Sequence, residues 1–286
     1  MLESFIKIVL PDVSNDVIEL INLMIVETYK YKGITENTDC SNFDAIQFPV
    51  FSDLIYIMNK KLKKQTDEFS IYNYKVALLH LQKFVTGRYS DIWNSPSTLE
   101  VDANIINFNF QSLFSNKNNI VANAQMLLVF RFIEQEIINA RELNKFGNNI
   151  RSMIIIDEAH LFIDPKYPIA LDFFYQMSKR IRKYNGAFIP TTQNIADWNS
   201  NEELRYKTST ILKNSQYTFI FKLSSPDMQD VLDIYKAGDS FNKEERRMII
   251  SATTGQAFFV GSSELRTSVQ IKANDYIKEM FDNEVI

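Results

Sequence analysis

Apolar positions fall at helical spacing through roughly the first hundred residues. After Ser14, a good N-cap followed by Asn15 and Asp16, the residues Val17, Leu20, Ile21, Met24, Ile25 and Thr28 share one helix face. Ser52 opens a second helix with Leu54, Ile55, Met58 and Leu62 inward. Ser70 precedes a third, whose Val76, Leu79, Leu81 and Phe84 lead to Gly87 as a C-terminal cap. Residues 33–49 are polar, lack a period and read as a loop. From about residue 100 the pattern changes. Ile105 to Phe110 alternates like a strand, Ile120 to Phe146 forms a long amphipathic helix closed by Gly147, and Met153 to Ile156 is a continuous apolar run. Such a run predicts a strand buried on both faces of a parallel sheet. A helix from about Ile169 to Tyr184, a strand Ala187 to Pro190, a helix from about Asn201 to Lys213 and strands at Tyr217–Leu223, Gln256–Val260 and Thr267–Ala273 follow. The alternation predicts an α/β sheet with parallel crossovers and an antiparallel edge made by the last two strands. Two domains are expected, a helical one over 1–100 and an α/β one over 101–286.

Composition narrows the classes of function. With 45% hydrophobic and 23% charged residues, the 286-residue chain has the apolar content for one large core or two small ones. One cysteine, Cys40, excludes an internal disulfide framework, and with only His80 and His160 beside it a Cys/His zinc cluster is out of reach. A net charge of -4 argues against a general nucleic-acid coat, while a local basic strip could still touch phosphates. The longest apolar runs fall far short of the roughly 20 residues that span a bilayer. Glu3 and Pro11 do not suit a secretory signal, so a soluble intracellular protein is expected. The seven glycines include no pair spaced as in G-x-x-x-x-G-K-[ST] or G-x-G-x-x-G. Any nucleotide-site reading must accommodate that.

The strongest chemical signal is Ile154-Ile155-Ile156-Asp157-Glu158-Ala159-His160. An apolar strand that delivers two carboxylates at its C-terminal end is where open α/β sheets place ligands. In P-loop ATPases this is Walker B: Asp157 would hold hydrated Mg²⁺ and Glu158 would polarise the attacking water. The plainer alternative is an acidic strand end meeting a helix dipole. A second signal, Thr191-Thr192-Gln193-Asn194, follows the next strand, where Gln193 could sense both γ-phosphate and lytic water; alone it would also suit a turn. Between the two lies the basic stretch Lys179 to Lys183. Its default reading is a solvated helix end, its functional one an arginine reaching a neighbouring subunit's phosphate. The cluster Lys60, Lys61, Lys63 and Lys64 reads as a solvated helix end. Asp157 to His160 spells D-E-A-H and Ser251-Ala252-Thr253 spells S-A-T, but more than 90 residues separate them, too many for a helicase.

In this order the elements resemble the C-terminal ATPase domain of the conjugative-transfer ATPases of type IV secretion systems, the TraC/TraE class of the HerA/FtsK group. The resemblance runs through nearly the whole chain: Phe48-Pro49-Val50-Phe51-Ser52-Asp53-Leu54 before a helix of the family's all-helical insertion, Gly87 to Trp93 with the stretch Ile105 to Phe110, Ile154 to His160 as Walker B, Arg180 to Gly186, Thr192-Gln193-Asn194, Leu212 to Ser215 with Tyr217 to Leu223, and Gly255 to Phe259. It implies a RecA-like P-loop NTPase core, a mainly parallel sheet flanked by helices, with an N-terminal all-helical insertion subdomain. ATP and Mg²⁺ are the implied cofactors. Glu158, Gln193, Arg182 and Arg180 would be catalytic, the arginines in trans within a hexamer, and Asp157 and Thr192 would bind the cofactor, Asp157 holding the metal through water. Type IV secretion channel subunits and DNA are the implied partners. The implied location is cytoplasmic, peripheral to the inner face of the cell membrane.

One departure is large. The family's Walker A strand and loop are absent from the sequence, which starts within the helical insertion. A P-loop supplies charge-assisted bonds worth roughly 1.5–3 kcal/mol each, so ATP turnover by this chain alone is not expected. Two classes of function follow: part of an ATPase motor for DNA or protein transfer, or a non-catalytic module that binds subunits of the transfer apparatus.

Overall fold

Asp67, three residues before the serine expected to open the third helix, is the residue that caps it. The computed structural model describes residues 1–98, 103–115, 119–164, 167–199, 202–235, 241–262 and 264–282. The expected domain division at 100/101, the helix start at Asn201 and Gly238 lie outside the described residues. The chain divides into two compact units, Met1–Ala124 and Gln125–Ile286.

The first unit is helical: α1 (Leu2–Val9), α2 (Asn15–Tyr31), α3 (Phe51–Leu62) and α4 (Glu68–Leu81). The Asp67 carboxylate accepts the Ser70 N–H at 2.8 Å, so Ser70 sits inside the first turn of α4. Tyr74, Ala77, Leu81 and Phe84, spaced three, four and three, are the buried face. Leu79, expected inward, falls off that face and is 74% exposed. Gly87 is not a left-handed cap. A Cβ there would stand 2.6 Å from Lys83 Cα, so glycine is required by close backbone approach. The short α5 (Ser90–Trp93) lays Trp93 edge-on against Phe5 at 5.1 Å, and Phe51 stacks on Phe84 at 4.5 Å. Asn94 Oδ1 accepts the N–H and the hydroxyl of Ser52, at 2.9 and 3.0 Å, which ties the start of α3 to the end of α5. Residues 105–110, expected as a strand, join no ladder, and Ile105 is solvent-exposed. Alternation makes a strand only where a neighbour takes up the backbone hydrogen bonds. α6 (Gln111–Ser115) follows directly.

The second unit takes in most of α7 (Asn119–Lys145) and then β1 (Ser152–Ile156), α8 (Pro168–Arg180), β2 (Gly186–Pro190), α9 (Glu202–Asn214), β3 (Thr218–Ile220), α10 (Ser225–Tyr235), α11 (Lys243–Ile250), β4 (Gln256–Val260), β5 (Arg266–Gln270) and α12 (Asp275–Asp282). α7 ends where Gly147 takes a φ of +94°, the left-handed cap its sequence predicts. Phe130 of α7 stacks on Phe173 of α8 at 4.3 Å, and Phe174 meets Phe188 of β2 edge-on at 5.5 Å. These rings cover one face of the parallel pair β1–β2, in which Ser152 faces Gly186 and Ile156 faces Pro190. The opposite face is open, with Met153 63% and Ile155 64% exposed, so the expected burial of β1 on both faces does not hold. The expected single sheet is in two pieces: β3, β4 and β5 form a separate antiparallel sheet, in which β3 as well as β5 pairs antiparallel with β4.

A second core joins Ile220, Met228, Val231, Phe241, Ile249 and Phe258, and Ile195, just past β2, packs against it. That contact anchors the loop after β2. At the edge of this core Arg266 makes a bidentate ion pair with Glu245, 2.6 and 3.0 Å, while its guanidinium lies 4.8 Å from the Phe241 ring centre.

Candidate active site

Parallel pairing carries both loops that follow β1 and β2 to the same end of the sheet. Thr191 N–H donates to Ile156 O at 2.8 Å and Ala159 N–H to Thr191 O at 2.7 Å, so the two chains remain zipped for one further step. This brings Asp157 and Glu158 beside Thr191, Thr192 and Gln193. Thr191 Oγ1 donates to Asp157 Oδ1 at 2.7 Å, and Glu158 N–H donates to the same oxygen at 3.0 Å. Both contacts use Oδ1; Oδ2 has no partner among the described residues. Gln193 Nε2 donates to Glu158 Oε1. His160 Nδ1 lies 3.2 Å from Glu158 Oε2, an oxygen shielded from solvent and without a hydrogen bond among the described residues. Thr192 Oγ1 stands 3.4 Å from His160 Nδ1 and accepts the Asn194 N–H at 3.2 Å, so Thr192 is held by its own turn.

The backbone of Glu158 is left-handed, φ 49° and ψ 45°. A β-carbon in that region is strained by about 1–2 kcal/mol, and such strain gathers at functional sites. It turns the Glu158 side chain toward Gln193 and away from the path of β1. Glu158→Gly should therefore be more stable than Glu158→Ala by about 1 kcal/mol. Both variants lose the carboxylate, so urea unfolding compares the backbone alone; equal midpoints would remove the strain from the account.

Arg180 and Arg182 are exposed and lie at the far end of the sheet, where α8 closes and β2 begins. Four residue steps of about 3.3 Å along β2 put about 13 Å between the two ends. Within one chain the structure therefore does not gather the arginines with Asp157, Glu158, Thr192 and Gln193. His160 and Thr191 do belong to the cluster. His160 closes the Asp157-Glu158-Ala159-His160 stretch and Thr191 opens Thr191-Thr192-Gln193-Asn194, and these positions beside the carboxylates and Thr192 are the sequence signal for them.

For a divalent cation the donor set fits magnesium through water. Asp157 is exposed, one oxygen is fixed and the other is without a partner among the described residues. Among the described residues no group of three or more His, Cys, Asp or Glu could form an all-protein cage. Magnesium, which keeps several waters and needs one or two carboxylates, suits such a site.

No family model matches the chain. It is 26% identical over 173 residues to protein TraC of Escherichia coli K12, a match covering 59% of this chain and 18% of TraC. It superposes on VirB4 of Thermoanaerobacter pseudethanolicus with a TM-score of 0.72 and 26% identity, over 96% of this chain and 68% of VirB4. In sequence and in fold the chain is thus similar to conjugation and type IV secretion proteins. Its α/β, RecA-like fold is the one the resemblance implied. The plasmid coupling protein TrwB, solved with the GTP analogue GDPNP, is a looser likeness at 11% identity and a TM-score of 0.45. The chain thus spans a minor part of the length of TraC and about two thirds of VirB4. Among the described residues no helix is long and apolar enough to cross a membrane.

Proposed function

We propose that the chain is the hydrolytic part of a conjugative-transfer ATPase domain, coupling ATP hydrolysis to the passage of DNA or protein across the envelope. The observation that carries this reading is the set Asp157, Glu158 and Gln193 at one end of the parallel pair, with Glu158 in a left-handed backbone and hydrogen-bonded to Gln193. In this reading residues 1–100 are the helical subdomain and 101–286 the RecA-like core. Glu158 accepts the proton of the attacking water and Gln193 orients that water against the γ-phosphate. Asp157 holds hydrated Mg²⁺, which when bound neutralises phosphate charge. Thr192 lies against the nucleotide. Arg182 or Arg180 acts on the nucleotide of a neighbouring subunit, which their distance from Asp157 requires, and a hexamer peripheral to the inner face of the cell membrane is the assembly that would supply that neighbour.

The 286 residues contain no G-x-x-x-x-G-K-[ST], and Gln193 is already engaged by Glu158. The expected result is therefore that the chain by itself, with Mg²⁺ and ATP, gives no turnover that Glu158→Gln removes. Steady-state phosphate release measures it. A kcat abolished by Glu158→Gln in the chain alone would overturn the need for a phosphate-binding loop from elsewhere.

A further inference from the structure

The chain has two histidines, and one of them, His160, stands against the carboxylate proposed as the base. His160 Nδ1 lies 3.2 Å from Glu158 Oε2 and 3.4 Å from Thr192 Oγ1, so one ring nitrogen faces an oxygen from each of the two loops. Neither oxygen has a proton to give it. A carboxylate only accepts, and the single hydroxyl proton of Thr192 is directed to Asn194 O at 3.2 Å. A bare nitrogen would set its lone pair against those of both oxygens. A proton on Nδ1 makes both contacts attractive and, with a small turn of the ring, supplies the donor that the shielded Oε2 lacks among the described residues. The backbone that carries the ring is well anchored. His160 sits in the turn after β1 among the buried Ala159, Phe162 and Ile163, and the Ile163 N–H donates to His160 O at 3.1 Å.

We infer that His160 is the positioning residue of Glu158: it carries its proton on Nδ1, holds Oε2 with it, and so fixes which carboxylate oxygen meets the water. Oε1, the oxygen that Gln193 touches, is left as the acceptor. Glu158 is then gripped at both oxygens, by a donor from its own loop and by one from the loop after β2, while its left-handed backbone sets the direction of the side chain. The same Nδ1 proton stands beside Thr192, so the residue that lies against the nucleotide and the residue that activates the water share one donor. A displacement of Thr192 is thereby felt at Glu158. Which imidazole nitrogen holds the proton is set by the partners of the ring, and here the partners on the Nδ1 side are two oxygens. The role in turnover rests on the ATPase reading; the place of the proton does not.

NMR of the imidazole nitrogens reads the tautomer in the chain alone, without ATP or Mg²⁺, at a pH about two units above the ordinary imidazole value of about 6.5. His80 serves as internal reference, and His80→Gln assigns the two rings. His160 should show a protonated Nδ1, and Glu158→Ala should move the proton toward Nε2 while His80 stays unchanged. An unprotonated Nδ1 in the wild-type chain, or a tautomer that Glu158→Ala does not move, overturns the proposal and leaves the ATPase reading intact. Turnover is measured in an assembly that supplies a phosphate-binding loop. His160→Gln, whose amide reaches the place of Nε2, should lower kcat about 10-fold with KM for ATP within about threefold. His160→Asn, whose amide nitrogen stands near the place of Nδ1, should keep kcat within about threefold of wild type. Equal loss of kcat from the two variants would make His160 a packing residue and overturn the proposal. Near-normal kcat in Glu158→Gln would instead overturn the ATPase reading, and with it the catalytic part of the proposal.

Discussion

Glu158→Gln lowers kcat for ATP by about 10²–10⁴-fold in an assembly that supplies a phosphate-binding loop, while the affinity for Mg²⁺–ATP stays within about threefold. The amide matches the carboxylate in size and can still sit at the left-handed position beside Gln193. It cannot take a proton from water, so the loss falls on the chemical step alone. Asp157→Asn should behave differently, raising KM and the Mg²⁺ requirement, because in the proposed reading one oxygen faces the metal's water shell while the other is held by Thr191. Single-turnover hydrolysis and nucleotide binding by the two variants separate the roles. Equal effects on kcat and KM from both would reduce the carboxylates to generic negative charge, and a Glu158→Gln enzyme with near-normal kcat would sink the assignment.

Arg266→Met destabilises the second unit by about 3 kcal/mol, because it leaves the Glu245 carboxylate poorly solvated and without its partner. The two side chains are only 11% and 13% exposed, so the pair is screened less than the other ion pairs of the described residues. At about 2–4 °C per kcal/mol for a chain of this size, melting falls by roughly 6–12 °C. The pH dependence has a definite sign. Burial pushes the Glu245 carboxyl up, but the hydrogen bonds from Arg266 and the Asn242 backbone, with the arginine's charge, bring it below the ordinary glutamate value. A carboxyl depressed by folding adds stability that is complete above the unfolded value and is lost as pH falls through the lower folded one. Wild type should therefore lose this part of its stability below about pH 4.5, and Glu245→Gln should flatten that limb. Adding Glu245→Gln to Arg266→Met should restore part of the loss. Unchanged melting of Arg266→Met at neutral pH would leave the pair without energetic weight.

The placement of Asp157, Glu158 and Gln193 was legible because two short apolar strands and one intervening helix leave little freedom: parallel pairing must bring both C-terminal ends together. The α7 boundary was legible from Gly147 for the same local reason. Burial was less so. Met153 and Ile155 read as core because branched and long apolar side chains are ordinary there, yet what covers a strand's second face depends on elements that its own residues do not encode. Residues 105–110 failed as a strand on the same ground, since alternation states a preference and a partner must satisfy it.

The open face of β1 has a chemical consequence. Met153 presents a thioether at 63% exposure on an otherwise aliphatic strip shared with Ile155 and Ile189. Peroxide reaches such a sulfur, and the sulfoxide it makes is polar, so one oxidation converts a sticky strip into one that resists apolar contact. The strand that carries the candidate chemistry to its end therefore also carries a gauge of its own cover: slow oxidation of Met153 would mark every state in which that face is closed.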